Sequence, residues 1–323
     1  MSRALQNKLV TIFGGTGFIG RYIVSQLARE GATVKIMTRH PSSAYFLRQF
    51  GTVGQIVPVL CNYSEAEIER AVAGSDYVVN CLGILFEKKR GQFKQVHTHY
   101  ADVIAKACAA NHVERFVHIS AAGIDVSKSN YAATKRAGEE AVHAAFPNAT
   151  ILRPSVVFGP EDQFINKFAK LSLFMPAMPV IGGGKSKLQP VYAGDVSNAV
   201  LKSISLPDFA DTSPLGKIFE LGGPEKLTLG QIYGRIFERT KRKRIIFDMP
   251  EMLARLQAAF FSILPNPPLT NDQITSLKTD NVVSQNALTL ADLGLQSTAL
   301  DAILPTYLDR YRAGGRFADK KRA

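Results

Sequence analysis

The sequence predicts an α/β protein, with a doubly wound parallel sheet and a smaller C-terminal α/β domain. Short β-rich runs alternate with segments of helical periodicity, which indicates strand–helix–strand units and a sheet covered on both faces. A glycine-rich turn joins the first strand to the first helix, and after residue 158 the alternation gives way to a loop-rich region. The predicted strands are Leu9–Phe13, Thr33–Thr38, Gln55–Leu60, Tyr77–Leu82, Phe116–Ser120 and Thr150–Leu152.

Local signals predict where several helices begin and end. Gly31 stands where the first helix should stop, because glycine readily adopts the left-handed conformation of a C-terminal cap. Residues 64–67 have the capping-box pattern that opens a helix. In the C-terminal region we expect a helix over Leu229–Thr240, and we expect Asp195 to cap a helix that begins near Val196.

Two domains are predicted, with a boundary at residue 158. Residues 1–158 form the sheet domain, which is completed by about residues 189–204. Residues 159–323 form the smaller domain, which includes a short strand at Ile218–Leu221 and ends in a basic tail. The tail contains Arg310, Arg312, Arg316, Lys320, Lys321 and Arg322.

Composition limits the classes of partner. The formal net charge of +12 suits anionic lipid, nucleic acid, an acidic protein or an anionic ligand. No RNA-binding or helix-turn-helix pattern accompanies the charge, so nucleic acid is not predicted. The cysteines are widely spaced, which argues against a disulfide framework. His97, His99, His112 and His118 lack ligand spacing, so we interpret them as helix-surface or strand-edge residues and predict no metal site.

The glycine-rich turn predicts a dinucleotide site. Gly14 should permit the tight turn, Gly17 should let the backbone approach a pyrophosphate, and Gly20 should let the helix pack on the sheet. The N–H groups at the start of the helix would face the phosphates. This is the arrangement of a Rossmann-type domain. Its predicted cofactor contacts are Gly14, Gly15, Thr16, Gly17, Phe18, Ile19 and Gly20.

The end of the second strand predicts NADP(H) rather than NAD(H). An NAD site usually has an acid there to bind the adenosine ribose, whereas this strand ends in Arg39 and His40. The planar guanidinium of Arg39 would suit a 2′-phosphate. Asn62, after the third strand, is predicted to face the adenine, and residues Cys81, Leu82 and Gly83 are predicted to line the cofactor after the fourth.

Beyond these single features, the chain resembles the atypical, extended short-chain dehydrogenase/reductases over nearly its whole length. The motifs are the GxxGxxG turn, Asn80–Gly83, Arg115–Ser120, Tyr131-x-x-x-Lys135, Arg153–Pro160 and Gln189–Val196. Within that superfamily, Phe146–Pro154 and Glu161–Asn166 resemble the NADPH-binding accessory subunits of respiratory complex I. The resemblance implies a non-catalytic subunit that holds NADPH and stabilises the junction of the peripheral and membrane arms.

The resemblance also assigns roles to individual residues. In active relatives the tyrosine at the position of Tyr131 transfers a proton, and the lysine at the position of Lys135 lowers its pKa. Extended relatives often carry two adjacent serines after the fifth strand, the second of them catalytic, but Ser120 is followed by Ala121. We therefore interpret Ser120, Tyr131 and Lys135 as a vestigial catalytic site whose members bind the cofactor. Further cofactor contacts are predicted at Pro154, Ser155 and Val156.

Two other functions remain open at this point: an active NADPH-dependent reductase or epimerase, and a redox-sensing regulator. The predicted partners are other complex I subunits, with anionic lipid as a further partner. The polar N-terminus lacks a presequence pattern, which favours the cytoplasmic face of a bacterial inner membrane, with the mitochondrial matrix side as the alternative.

An apolar stripe at helical spacing is interpreted as core of the small domain, or else as a membrane-facing surface. The stripe is Met252, Leu253, Leu256, Ala259, Phe260 and Ile263.

Overall fold

Seven parallel strands form the central sheet of the computed structural model, which describes residues 4–206, 213–261, 267 and 269–315. The strands of the described residues are β1 Leu9–Phe13, β2 Thr33–Thr38, β3 Ile56–Leu60, β4 Tyr77–Asn80, β5 Arg115–Ile119, β6 Thr150–Pro154, β7 Val157–Phe158, β8 Ala177–Ile181, β9 Lys187–Leu188, β10 Val191–Tyr192, β11 Ile218–Leu221, β12 Leu227–Thr228 and β13 Ile245–Met249. The order in the sheet is β11-β6-β5-β4-β1-β2-β3. Each of these neighbouring pairs is parallel, which confirms the predicted fold class.

Helices cover both faces of this sheet. The α-helices of the described residues are α1 Phe18–Arg29, α2 Glu65–Val72, α3 Tyr100–Ala110, α4 Asn130–Ala145, α5 Ile165–Phe174, α6 Ala193–Ser205, α7 Leu229–Thr240, α8 Glu251–Phe261, α9 Asn271–Ser276 and α10 Leu300–Leu308. Helices α1 and α6 share one apolar core with the sheet, whereas α2, α3 and α4 share another. A third core joins α5, α7 and α10 in the C-terminal region. Each core is apolar, so burial holds both layers and the smaller lobe together.

Local signals predicted several boundaries correctly. Helix α7 spans the predicted residues, and a capping box made by Ser64 and Glu67 opens α2. Helix α1 ends at Arg29, and Gly31 follows it with a φ of +91°. The prediction for Asp195 was wrong: α6 begins at Ala193, and the buried carboxylate accepts hydrogen bonds from the backbone and hydroxyl of Thr298.

Two further expectations differ from the structure. Ile218–Leu221 was predicted to belong to the smaller domain, but it is the edge strand β11 of the large sheet and pairs with β6. The prediction failed because the pairing depends on a distant strand that no local pattern reveals. The apolar stripe of α8 does not lie in a core: Met252, Leu256 and Phe260 are each at least 70% exposed. Ile263 and the tail from residue 316 lie outside the described residues.

Candidate functional site

The turn between β1 and α1 has a backbone path that only glycine fits at two positions. Gly14 has a φ of +82°, and a Cβ there would lie 2.8 Å from the carbonyl oxygen of Cys81. A Cβ on Gly20 would lie 2.3 Å from the carbonyl oxygen of Gly14. The Gly17 N–H closes the turn by donating to the Gly14 carbonyl at 3.0 Å. The first turn of α1 therefore stacks directly on the loop, as the spacing of the glycines predicts.

The N-terminus of α1 is chemically suited to an anion. The helix begins at Phe18 with exposed Gly17 as its N-cap, and Gly17 has no side chain to accept the free N–H groups. No acidic residue stands in the first turn. The unpaired N–H groups and the positive end of the helix dipole favour negative charge here. The loop therefore fits the pyrophosphate of a dinucleotide.

Strands β2 and β3 follow β1 in the sheet, and because the strands are parallel they end at the same edge as this turn. Arg39 and His40 are exposed after β2, and the Arg39 guanidinium lies 6.0 Å from the centre of the Tyr63 ring. Asn62 follows β3 and donates from its backbone and side-chain amides to the Glu67 carboxylate, at 3.1 and 3.3 Å. The amide of Asn62 thus supports the start of α2. Cationic Arg39 is the group at this edge that suits a phosphate.

Three of the predicted site residues converge beyond the ends of β4 and β5. Lys135 is buried on α4 and donates from Nζ to the Ile119 carbonyl at 3.0 Å, while a Cβ on Gly83 would lie 3.6 Å from the same nitrogen. Burial lowers the pKa of Lys135 to about 8. Ser120 Oγ is buried and has no hydrogen-bond partner among the described residues. An unsatisfied buried hydroxyl is costly, so Ser120 is a natural donor to a ligand bound here.

Tyr131 and Cys81 are held in their protonated forms. Burial raises the pKa of the Tyr131 phenol to about 12 and that of the Cys81 thiol also to about 12. The Cys81 thiol donates to the Phe13 carbonyl at 2.9 Å. Near neutral pH both groups are therefore uncharged and can donate a hydrogen bond, and neither is an anionic nucleophile.

Two buried histidines border Tyr131 and Lys135, which corrects their interpretation as surface or strand-edge residues. His97 Nε2 accepts from the Ile84 N–H at 3.2 Å, and its ring meets the Tyr131 ring edge to face at 5.2 Å. His118 Nδ1 lies 3.1 Å from Asn80 Nδ2. The sequence pattern missed both because their partners come from other elements. His97 lies in a π-helical segment, Lys94–His99, a distortion that often marks a functional site.

We expect His97 to make the protein sensitive to acid. Burial lowers its pKa from 6.5 to about 3, so between these values the unfolded chain binds a proton that the folded chain does not. The contribution of neutral His97 to the free energy of unfolding is fully present above about pH 6.5 and is lost as the pH falls towards 3. The loss should be about 2 kcal/mol between about pH 7 and about pH 5.

Urea unfolding of the wild type and of His97→Gln at both pH values measures this effect. The variant should lose less stability on acidification than the wild type. Exposed His143→Gln, which removes an imidazole from the surface, is the control and should keep the wild-type slope. Equal pH slopes for the wild type and His97→Gln would contradict the prediction.

A late part of the chain lies against the same site, and we call residues 270–283 the crossing segment. Asp272 accepts hydrogen bonds from the backbone N–H groups of Asn130 and Tyr131, at 2.7 and 3.2 Å. Asn281 donates to the Ala122 carbonyl at 2.7 Å and accepts from Ser155 Oγ through its own carbonyl at 2.7 Å. The crossing segment therefore covers the chain just after β5 and β6.

These contacts also locate the last predicted cofactor residues. Pro154 ends β6, its carbonyl accepts the Ala122 N–H at 2.9 Å, and the Val156 carbonyl accepts the Val191 N–H at 3.0 Å. Ser155 is buried against Asn281. No signal in the sequence pointed to the crossing segment. The structure thus brings residues 154–156 to the site edge together with a segment that sequence patterns did not find.

A family profile described as the NAD dependent epimerase/dehydratase family matches residues 10–222. The chain belongs to this family. It is 35% identical over 95% of its length to NADH dehydrogenase [ubiquinone] 1 alpha subcomplex subunit 9, mitochondrial, of Arabidopsis thaliana, and covers 79% of that protein. Its identity to the Rattus norvegicus protein of the same name is 33%, covering 94% of this chain and 80% of that one. The predicted resemblance is confirmed.

The fold also matches that of solved structures. One is the NADPH-dependent quinone oxidoreductase of Escherichia coli complexed with NADPH, with a TM-score of 0.70. The match covers 91% of this chain and 97% of that one at 19% identity, which shows the fold alone. The family confirms a nicotinamide dinucleotide site in general terms.

The described residues contain no group of three or more His, Cys, Asp or Glu side chains that could hold a metal ion. None of their helices combines the length and the apolar character that crossing a bilayer requires.

Proposed function

We propose that this chain is a non-catalytic, NADP(H)-binding accessory subunit of respiratory complex I that stabilises the junction of the peripheral and membrane arms. The observation that carries the proposal is the match to the alpha subcomplex subunit 9 proteins over 95% of the chain. Its partners would be other subunits of complex I. Its place would be peripheral, at the cytoplasmic face of a bacterial inner membrane or the matrix side of the mitochondrial one.

The site supports a binding role more strongly than a catalytic one. A general acid works best with a pKa near the operating pH, whereas burial raises that of Tyr131 to about 12. Lys135 donates to a backbone carbonyl, and the chain has alanine after Ser120. Meanwhile the phosphate turn retains every glycine. In this proposal Ser120, Tyr131 and Lys135 hold the nicotinamide end of the cofactor without turnover.

The crossing segment is a second support for the binding role. Its Asp272 and Asn281 occupy hydrogen-bonding groups at the start of α4 and after β5 and β6. In open α/β sheets, ligands bind outside the carboxyl ends of the strands. A segment fixed at this edge restricts the room for a substrate while leaving the phosphate turn free. An active reductase or epimerase is the second candidate, because Tyr131 and Lys135 share one helix.

We further propose that Arg39 selects NADP(H) over NAD(H). Replacing Arg39 with alanine should weaken NADPH binding about 10- to 100-fold, because a charged hydrogen-bond partner of the 2′-phosphate is lost. NADH binding should change little. Calorimetric titration of both nucleotides checks this, with exposed Arg70→Ala on α2 as the matched control. Equal losses for NADPH and NADH would show that Arg39 does not contact the 2′-phosphate.

The proposed function is tested by affinity purification of the tagged chain from its native membranes in mild detergent. Co-purified complex I subunits are identified, and nucleotide released on denaturation is measured. Complex I subunits with roughly one NADP(H) per chain would support the proposal. A lone protein that exchanges nucleotide freely and steadily oxidises NADPH would contradict it and favour the reductase.

A further inference from the structure

Helix α8 has its apolar side chains on the side that faces away from the protein. Ala254 and Ala258 are buried against Ile274, while Met252, Leu256 and Phe260 are 78%, 70% and 72% exposed. The small side chains therefore face inward and the large ones outward, which reverses the usual pattern of a surface helix. A helix with this pattern gains stability from an external apolar partner.

Strand β13 and the end of α5 extend the same apolar surface. Ile245 is 70% exposed, and its N–H donates to the Pro176 carbonyl, which brings β13 beside the end of α5. We define the apolar ridge as the exposed side chains Phe174, Ile245, Phe247, Met252, Leu253, Leu256 and Phe260, in which Ile245 and Phe247 share one face of β13. The ridge contains several large side chains of adjacent elements, so it is more than the scattered apolar exposure that any surface shows.

Basic side chains border the apolar ridge. Residues 241–261 contain five Lys or Arg and two acidic residues, a difference of +3. The Glu251 carboxylate is already paired with Arg255 and Lys278, and Asp248 accepts the Gly183 N–H. Lys241 and Lys243 are exposed just before β13. The border of the ridge is therefore cationic and suits an anionic surface.

We infer that the apolar ridge docks this chain on the surface of an anionic lipid bilayer. The ridge would enter the boundary between headgroups and acyl chains, while Lys241 and Lys243 meet lipid phosphates. For its setting at complex I the inference rests on the proposed function, but the docking itself depends on this chain alone. It gives an accessory subunit a second attachment next to the membrane arm.

The composition of the surface favours lipid over a protein partner. Protein–protein hot spots are enriched in Trp, Tyr and Arg, and residues 241–261 contain no Trp or Tyr. Arg242 and Arg244 donate to the chain's own carbonyls, those of Tyr311 and Ser172. The bordering lysines are compact charges on flexible stems, which suit mobile headgroups better than a fixed protein acceptor.

Flotation of the full chain, loaded with NADPH, on vesicles tests the docking. The vesicles are phosphatidylcholine alone or an equimolar mixture with phosphatidylglycerol. We expect binding to the anionic vesicles, and we expect high salt to weaken it because salt screens the lysines. The double variant Leu256→Ser/Phe260→Ser should lower the bound fraction at least about tenfold, because two large apolar side chains that would be buried in the bilayer are replaced by small polar ones.

Leu60→Ser is the matched control, because Leu60 is exposed on the edge strand β3 and lies outside the ridge. It should bind vesicles like the wild type, and NADPH content and circular dichroism should show that each variant is folded. Salt-insensitive binding, or equal losses in the control and the double variant, would overturn the inference.

The two proposals fail in different ways. A chain that co-purifies with complex I and NADP(H) but binds neither kind of vesicle would support the proposed function and overturn the docking. The apolar ridge would then belong to a protein interface. A chain that floats with anionic vesicles, loses this with Leu256→Ser/Phe260→Ser, and brings no complex I subunit would support the docking and contradict the proposed function.

Discussion

Replacing Gly20 with alanine should abolish nucleotide retention. The new Cβ would lie 2.3 Å from the Gly14 carbonyl oxygen and 2.7 Å from the Gly15 Cα. Both neighbours are backbone atoms, so they cannot move aside as a flexible side chain does. The phosphate turn and α1 must separate, which removes the N–H groups from the position where they would meet the pyrophosphate. Since Gly20 itself is buried, the free energy of unfolding should also fall by about 3 kcal/mol.

Nucleotide content after purification and chemical unfolding together measure this result. Gly234→Ala on α7 is the matched control, because a Cβ there meets no atom within 4 Å. It should keep its nucleotide and should be as stable as the wild type or slightly more so, since alanine favours a helix. A Gly20→Ala protein with full NADP(H) content and wild-type stability would contradict the role of the turn.

Replacing Arg153 with leucine should be the most damaging change in the interior of the sheet. Its guanidinium donates to the Glu139 carboxylate at 2.6 Å and to Asp125 at 2.6 Å. Burial alone would lower the pKa of Arg153, but Glu139 and Asp125 raise it above its usual value. Without the guanidinium, Glu139 and Glu220 remain as buried carboxylates without their cation, and the unfolding free energy should fall by about 3–5 kcal/mol.

Urea denaturation of two further variants identifies the cause. Arg153→Leu/Glu139→Leu should recover part of the loss, because one stranded carboxylate is gone. Arg235→Leu removes a more exposed arginine that pairs with Glu225 and Asp301, and it should cost at most about 1 kcal/mol. If the double variant is no more stable than Arg153→Leu alone, lost packing rather than the stranded charge explains the effect.

Features that depend on neighbours in sequence were predictable. The glycine spacing, the capping box at Ser64 and the end of α1 at Gly31 each act over a few residues, and the alternation of strands and helices fixes the parallel sheet. The pairing of β11 with β6 was not predictable in this way. A short edge strand carries little pattern of its own, and its partner precedes it by some 67 residues, the separation of Ile218 from Ile151.

The site was predictable only in part, for the same reason. The position of Lys135 on α4 follows from the family motif, but its burial and its bond to the Ile119 carbonyl depend on the folded sheet. His97 and His118 lie in the interior, where their contacts to the Ile84 N–H and to the Asn80 amide come from other elements that no local pattern reveals. For α8 the helix predicted from the apolar spacing is present, but the predicted inward face was wrong. Two alanines fit against Ile274, and the larger side chains are left outside.

The crossing segment also determines the order in which the molecule can mature during synthesis. The helix that bears Lys135 receives its N-terminal partner, Asp272, from 142 residues further along the chain. A ribosome that has completed the whole sheet, through Leu221, has not yet made Asp272 or Asn281. The surroundings of Lys135 are therefore completed only after some 60 further residues have been made, the separation of Leu221 from Asn281. A chain that stops at the end of the sheet lacks the groups that fix the start of α4 and the end of β6.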